Sequence, residues 1–235
     1  MMLDELKTLL ACVNHPDAEK SDYRQAIVDD NCLGKRSAET RVLSYNHLVD
    51  LYSLDPGVVL FRSLLYFWNR DVDGQALLAL LCTYARDTIF RSSASFILSV
   101  PEGSTVSRVS LEELIDAREP GRFSAATLKS TAQNINSTWT KSGHLTGRNV
   151  KVRSRALPTV GSVSYALFLG YLTGARGQGL FDHEYIRLLD CTSDRAIELA
   201  GEASGRGWIV FKRLGDVMEL EFPKLICQAE LEWLR

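Results

Sequence analysis

Apolar side chains over residues 1–100 return every three to four positions, and no stretch there alternates with the period of two that a strand needs. Leu3, Leu6, Leu9 and Leu10 fall on one face of a helix, and a second helical stretch covers residues 18–30. In "SAETRVLSYNHLVDLYSL" Ser37 stands where an N-cap belongs, with Val42, Leu43, Leu48, Val49 and Leu51 as the apolar stripe. Pro56 reads as a first-turn residue opening "GVVLFRSLLYFW", and "GQALLALLCTYARD" and "TIFRSSASFILSV" complete the series. A chain so patterned must bury helix against helix, so residues 1–100 are expected to form an all-helical bundle.

The pattern changes at "PEGSTV", which begins at Pro101 and marks the first expected boundary. Beyond it Ser110 and Glu113 have the spacing of a capping box, "PGRF" turns the chain, and Ser124 caps a helix through "AATLKSTAQNINSTW". In "SGHLTGRNVKVRSRALP" the period shortens toward two, with Gly147 placed for a hairpin turn. Helix, turn, helix, hairpin is the order of a winged helix, expected over residues 101–158. Residues 159–235 repeat that order. Helices fit "SVSYALFLGYL", "DHEYIRLLD" and "SDRAIELAGEAS", Gly205 and Gly207 end the last, and two alternating strands flank Gly215-Asp216. The expected fold is therefore mainly α: a helical bundle followed by two winged-helix-like units with small β-hairpins, the second hairpin acidic.

Charge is distributed unevenly along this order. The 235 residues carry 27 Lys and Arg against 29 Asp and Glu, a net charge of −2. Residues 1–119 have 18 acids and 12 bases, residues 182–235 have 11 acids and 7 bases, and residues 120–181 have eight bases and no acid. One-sided charge of this kind is what phosphate binding uses, because each neutralised phosphate releases condensed counterions. The candidate contacts are Arg122, Lys129, Lys141, Arg148, Lys151, Arg153 and Arg155, with Ser130, Gln133 and Asn134 as hydrogen-bonding groups on the helix and His144 beside the hairpin. Lys151, Arg153 and Arg155 alternate, which predicts three cations on one strand face about 6 to 7 Å apart, near the phosphate repeat of a DNA strand. The second hairpin sets Lys212 and Arg213 against Asp216, Glu219 and Glu221, a poor surface for phosphate.

Other chemistries find little to stand on. Cys12, Cys32, Cys82, Cys191 and Cys227 form no C-x-x-C pair and read as incidental thiols of a reducing compartment. His15, His47, His144 and His183 lack metal-ligand spacing, and "GARGQG" lacks the Lys and Ser/Thr of a phosphate loop, so it reads as a helix terminator. Asp29-Asp30 and Glu112-Glu113 are neighbours on helices and point to different faces, which suits acid/base pairs badly. Trp68 and Trp139 fall on apolar stripes and are expected in the core. No metal, cofactor or small-molecule substrate is expected. No apolar run is long enough to cross a bilayer, and the start, "MMLDELKTLL", lacks the positive charge of a signal peptide, so the expected compartment is the cytoplasm.

"NCLGKRSAETRVLSYNHLVDLY", from Asn31 to Tyr52, resembles the BrxA family of BREX phage-defence systems. The family pattern Asn-x-Leu-x-Lys-Arg-Ser-x-x-Thr is met by Asn31, Leu33, Lys35, Arg36, Ser37 and Thr40, with Gly34 where a larger residue is usual. The resemblance implies a non-enzymatic accessory protein with a helical NusB-like N-terminal region, binding double-stranded DNA and meeting other BREX proteins. Cations just before a helix start are unfavourable unless an anion lies nearby, so Lys35, Arg36 and Arg41 are a second candidate phosphate contact. Two other readings stay open: a scaffold whose basic face docks an acidic protein partner, and, by fold-level analogy to NusB, an RNA binder.

Overall fold

The computed structural model describes residues 1–15, 17–226 and 230; Cys227 lies outside the described residues. The N-terminal half is helical: α1 (Leu3–Cys12), α2 (Lys20–Val28), α3 (Ala38–Tyr52), α4 (Val59–Trp68), α5 (Gln75–Arg86), α6 (Thr88–Ser92) and α7 (Ala94–Ser99). Strand β1 (Thr105–Val106), α8 (Arg108–Arg118), α9 (Ala125–Lys141), β2 (Leu145–Thr146) and β3 (Lys151–Arg153) follow. The chain continues through α10 (Val160–Leu172), α11 (Gln178–Phe181), α12 (Glu184–Arg187), α13 (Ser193–Gly205), β4 (Val210–Leu214) and β5 (Val217–Glu221). The protein is mainly helical, with two small antiparallel sheets: a three-stranded one of order β1-β3-β2 and the two-stranded β4-β5.

Several local expectations are met. The Ser37 hydroxyl accepts from the Thr40 N–H at 3.3 Å, and that of Ser124 from the Thr127 N–H at 3.2 Å, so both serines cap their helices. Gly174 follows the end of α10 at φ +96°, as a helix terminator should. Others are corrected. Val42 and Leu43 face solvent, 42% and 54% exposed, because α3 packs through Ser44, Leu48 and Tyr52 instead. Pro56 lies in the turn before α4, whose N-cap is Val58, so it does not open the helix. Ser107, not Ser110, caps α8, accepting from the Ser110 N–H at 3.4 Å. "TIFRSSASFILSV" breaks at Ser93 into α6 and α7, "DHEYIRLLD" is helical only over Glu184–Arg187, and "PEGSTV" contains β1 rather than a bare turn.

Helix α10 is buried on every side from Val160 to Gly170. A helix apolar all round has to lie at the centre of its fold, and α10 packs on α4 and α5 of the N-terminal half as well as on α12 and α13. One hydrophobic cluster therefore runs from Leu3 to Ile226 without a break at residues 100/101 or 158/159. The start of α10 is fixed by Thr159 and Ser162, which cap reciprocally, and by Asp71, whose carboxylate accepts from the Thr159 hydroxyl at 2.5 Å and the Gly161 N–H at 2.6 Å. A Cβ on Gly161 would meet Asp71 Oδ2 at 2.5 Å and its Cβ at 2.6 Å. Gly161→Ala is accordingly expected to destabilise the protein by about 1–3 kcal/mol through overpacking, read as a lower urea midpoint.

Among the described residues no helix is long and apolar enough to cross a membrane, and no group of three or more His, Cys, Asp or Glu could hold a metal ion. Cys82 and Cys191 are buried and Cys32 partly so, whereas Cys12 is exposed.

Candidate nucleic-acid interface

Helix α9 joins the basic segment to the rest of the molecule. Its inner face buries Ala132, Ile135 and Trp139. The Trp139 indole N–H donates to the Ser93 hydroxyl at 2.9 Å, and its ring lies 5.0 Å from Phe90 and 4.8 Å from His144. Trp139 is thus a core residue clamped between the bundle and the hairpin, as expected. The opposite face leaves Lys129, Ser130, Gln133 and Asn134 in solvent.

In the β1-β3-β2 sheet, the register places Val106 opposite Lys151 and Leu145 opposite Arg153. Cross-strand partners point to the same side, so Lys151 and Arg153 share the face that carries buried Val106 and Leu145. The alternation of cations does select one face, but that face is buried at Arg153 and half-buried at Lys151. Arg153 is 5% exposed and forms a forked pair with Asp190, Nη1 to Oδ2 at 3.0 Å and Nη2 to Oδ1 at 2.5 Å, and it also donates to the carbonyls of His144 and Ser154. Asp190 further accepts from the Ala156 N–H at 3.1 Å. Burial opposes its ionisation, yet the Arg153 and Ala156 hydrogen bonds hold its carboxyl below the usual carboxylate range.

His144 is wholly buried beside this pair. Its Nε2 lies 2.8 Å from the Leu188 carbonyl, which can only accept, so the proton sits on Nε2 and Nδ1 accepts from the Ser142 hydroxyl at 2.8 Å. Burial pushes its pKa down to about 4, with Arg153 adding to the shift and Asp190 and the Leu188 carbonyl opposing it. His144 is wholly buried, and Arg153 is nearly so with its guanidinium committed to Asp190, which removes both from the expected phosphate contacts.

The remaining candidates divide by their partners. Arg155 lies beyond β3 and pairs with Glu102 at 3.1 Å, while Arg122 pairs with Glu119. Lys35 pairs with Glu5 at 3.2 Å, and Arg41 donates to the carbonyls of Val28 and Asp29 at the end of α2. The second phosphate site therefore dissolves into loop architecture: Asn31 accepts from the Lys35 N–H at 2.8 Å and Ser37 caps α3, leaving only Arg36 of the three cations exposed. Four cations of the acid-free segment 120–181 find counter-charges outside it, on Asp4, Glu102, Glu119 and Asp190.

What survives is a groove of about 870 Å³ between α9, the end of β1 and the β2–β3 hairpin. Arg108, Lys141, Arg148 and Lys151 line it with Gln133, Asn136, Ser137 and Thr140, and among the described residues no carboxylate does. Arg108 turns to Glu112 at 2.9 Å and Lys141 to Asp4 at 2.6 Å. Arg148 and Lys151 have no ion-pair partner among the described residues, and Lys151 Nζ donates to the Gly147 carbonyl across the turn. Gly147 occupies φ +89°, and a Cβ there would meet the Val150 carbonyl at 2.1 Å, so the tight turn that presents Arg148 requires glycine. Asn136 Oδ1 is buried at the groove without a hydrogen-bond partner among the described residues. Arg108 and Asn136 went unrecognised in the sequence. Gln133, Ser137 and Thr140 at i, i+4 and i+7 are the signal that marks this face of α9.

No family model matches the chain, and no curated protein or solved structure matches it.

Proposed function

We propose that the chain binds the sugar–phosphate backbone of duplex DNA in the groove between α9 and the β2–β3 hairpin. The observation that carries this reading is the groove's lining: four cations, amide and hydroxyl donors, and no carboxylate among the described residues. Phosphate contacts demand that combination, and side-chain amides beside them can reach sugar or base edges. The order β1, α8, α9, β2, β3, with β3 central in the sheet, also supports a winged-helix reading. In that reading α9 is the recognition helix, the hairpin is the wing, and Lys129, Ser130 and Asn134 extend the contact along the exposed side of α9. The role would be that of a non-enzymatic accessory component of a BREX assembly, as the Asn31–Thr40 resemblance implies, with the acidic β4–β5 hairpin turned away from DNA.

The test is fluorescence anisotropy of a labelled duplex of about 25 base pairs at several salt concentrations. Four neutralised phosphates predict a slope of log K on log[salt] near −4, at about −0.9 per phosphate. The double variant Arg148→Glu/Lys151→Glu is expected to weaken binding by about a hundredfold, from about 1.5 kcal/mol for each lost charged hydrogen bond. Arg148 is exposed in the turn and Lys151 half-buried at the start of β3, so the unfolding midpoint of the variant should stay near that of the parent. Unchanged affinity in the folded variant overturns the groove as the site. Stronger competition by RNA than by DNA would transfer the groove to RNA, and no binding at low salt would leave it to an acidic protein partner.

A further inference from the structure

Helix α1 brings a carboxylate against the groove from a distant part of the sequence. Asp4, in its first turn, accepts from Lys141 Nζ at 2.6 Å although the aspartate itself is 78% exposed. Lys141 is the last residue of α9 and one of the four groove cations, so the carboxylate that holds it, Asp4, comes from outside the segment that forms the groove. The next residue, Glu5, bonds Lys35 at 3.2 Å, and neither of those two lines the groove. Two adjacent acids of one helix thus hold two lysines, one in the groove and one outside it.

We infer that Asp4 is an internal competitor for the phosphate that Lys141 would otherwise bind, an autoinhibitory contact that lowers the affinity of the groove for DNA. The inference rests on the DNA-binding reading above. Binding exchanges one ion pair for another: Lys141 leaves the Asp4 carboxylate and takes a phosphate oxygen, and Asp4 returns to water. An exposed ion pair of this kind is weak and easily exchanged. Asp4 is held below the usual carboxylate range by its Lys141 hydrogen bond, so the competitor remains charged throughout the neutral range.

The full-length chain and its Asp4→Asn and Glu5→Gln variants separate the possibilities when titrated with the same labelled duplex. Each substitution removes one negative charge, but only Asp4→Asn frees a groove cation. Asp4→Asn is expected to tighten binding about fivefold at low salt, with Glu5→Gln close to the parent. Equal affinity in all three proteins overturns the inference and leaves the DNA reading standing. Equal tightening in both variants also overturns it, since net charge alone would then account for the effect. Absence of binding by every protein, Asp4→Asn included, overturns the DNA reading and the inference together.

Discussion

Asp190→Ala should lower stability at neutral pH by about 3–5 kcal/mol, a large part of the roughly 5–15 kcal/mol that holds a domain folded. The aspartate is the counter-charge of a guanidinium that is only 5% exposed, and removing it leaves Arg153 charged, desolvated and unpaired. The damage should outrun the deletion of one ion pair, because the same carboxylate also takes the Ala156 N–H where the chain leaves β3. Urea unfolding of the parent, Asp190→Ala and the apolar double variant Arg153→Leu/Asp190→Leu resolves the origin of the loss. If the unpaired charge is responsible, the double variant recovers much of it, since a buried pair often exchanges for apolar side chains at little net change. A double variant as unstable as the single one would instead make the hydrogen bonds to His144 O and Ala156 N the dominant loss. A small loss in Asp190→Ala would refute the burial argument itself.

Acid should begin to destabilise the protein above the range where its carboxylates titrate. His144 is neutral in the fold, with a pKa of about 4, whereas in the unfolded chain it titrates near 6.5. Between those values the unfolded state binds a proton that the folded state refuses, so falling pH favours unfolding. The stability in question is complete above 6.5 and lost as pH falls toward 4, a loss of about 3 kcal/mol at 1.36 kcal/mol per pKa unit. His183, whose pKa is also lowered, chiefly by burial, acts in the same direction. Asp190 adds a further loss once pH drops below the ordinary carboxylate value, because its folded pKa is depressed. Urea midpoints measured from about pH 7 to pH 4.5 should fall steeply in the parent and much less in His144→Gln. A flat profile in the parent would mean that the imidazole takes up its proton as readily in the fold as in the unfolded chain.

Much of the helical fold was legible because helices announce themselves locally. Leu3, Leu6, Leu9 and Leu10 are all buried as their spacing demands, and Ser37 and Ser124 cap where a short polar side chain precedes an apolar run. The stripe on α3 was misread because Ser44, a polar residue, occupies the packed face while Val42 and Leu43 do not. Strand β1 is two residues long and carries no period at all; pairing with β3 is what makes it a strand. The basic hairpin failed in a more instructive way. Alternation says that Lys151 and Arg153 share a face, but only the partner strands and Asp190, 37 residues further on from Arg153, say that this face is buried. Charge segregated along the chain is not charge segregated in space. Acids from Asp4 to Asp190 fold back onto the acid-free segment, and a sequence window has no means of seeing them.

The continuity of the core through α10 bears on how such a surface could travel between proteins. The hairpin takes its counter-charge from the C-terminal third, and its helix is pinned to the N-terminal half through Trp139 and Ser93. A cassette cut from residues 101–158 would leave Arg153 and Trp139 without the neighbours that complete them. The groove is therefore not portable. Residues 101–158 excised from the chain are expected not to hold the groove's shape without the bundle and α10.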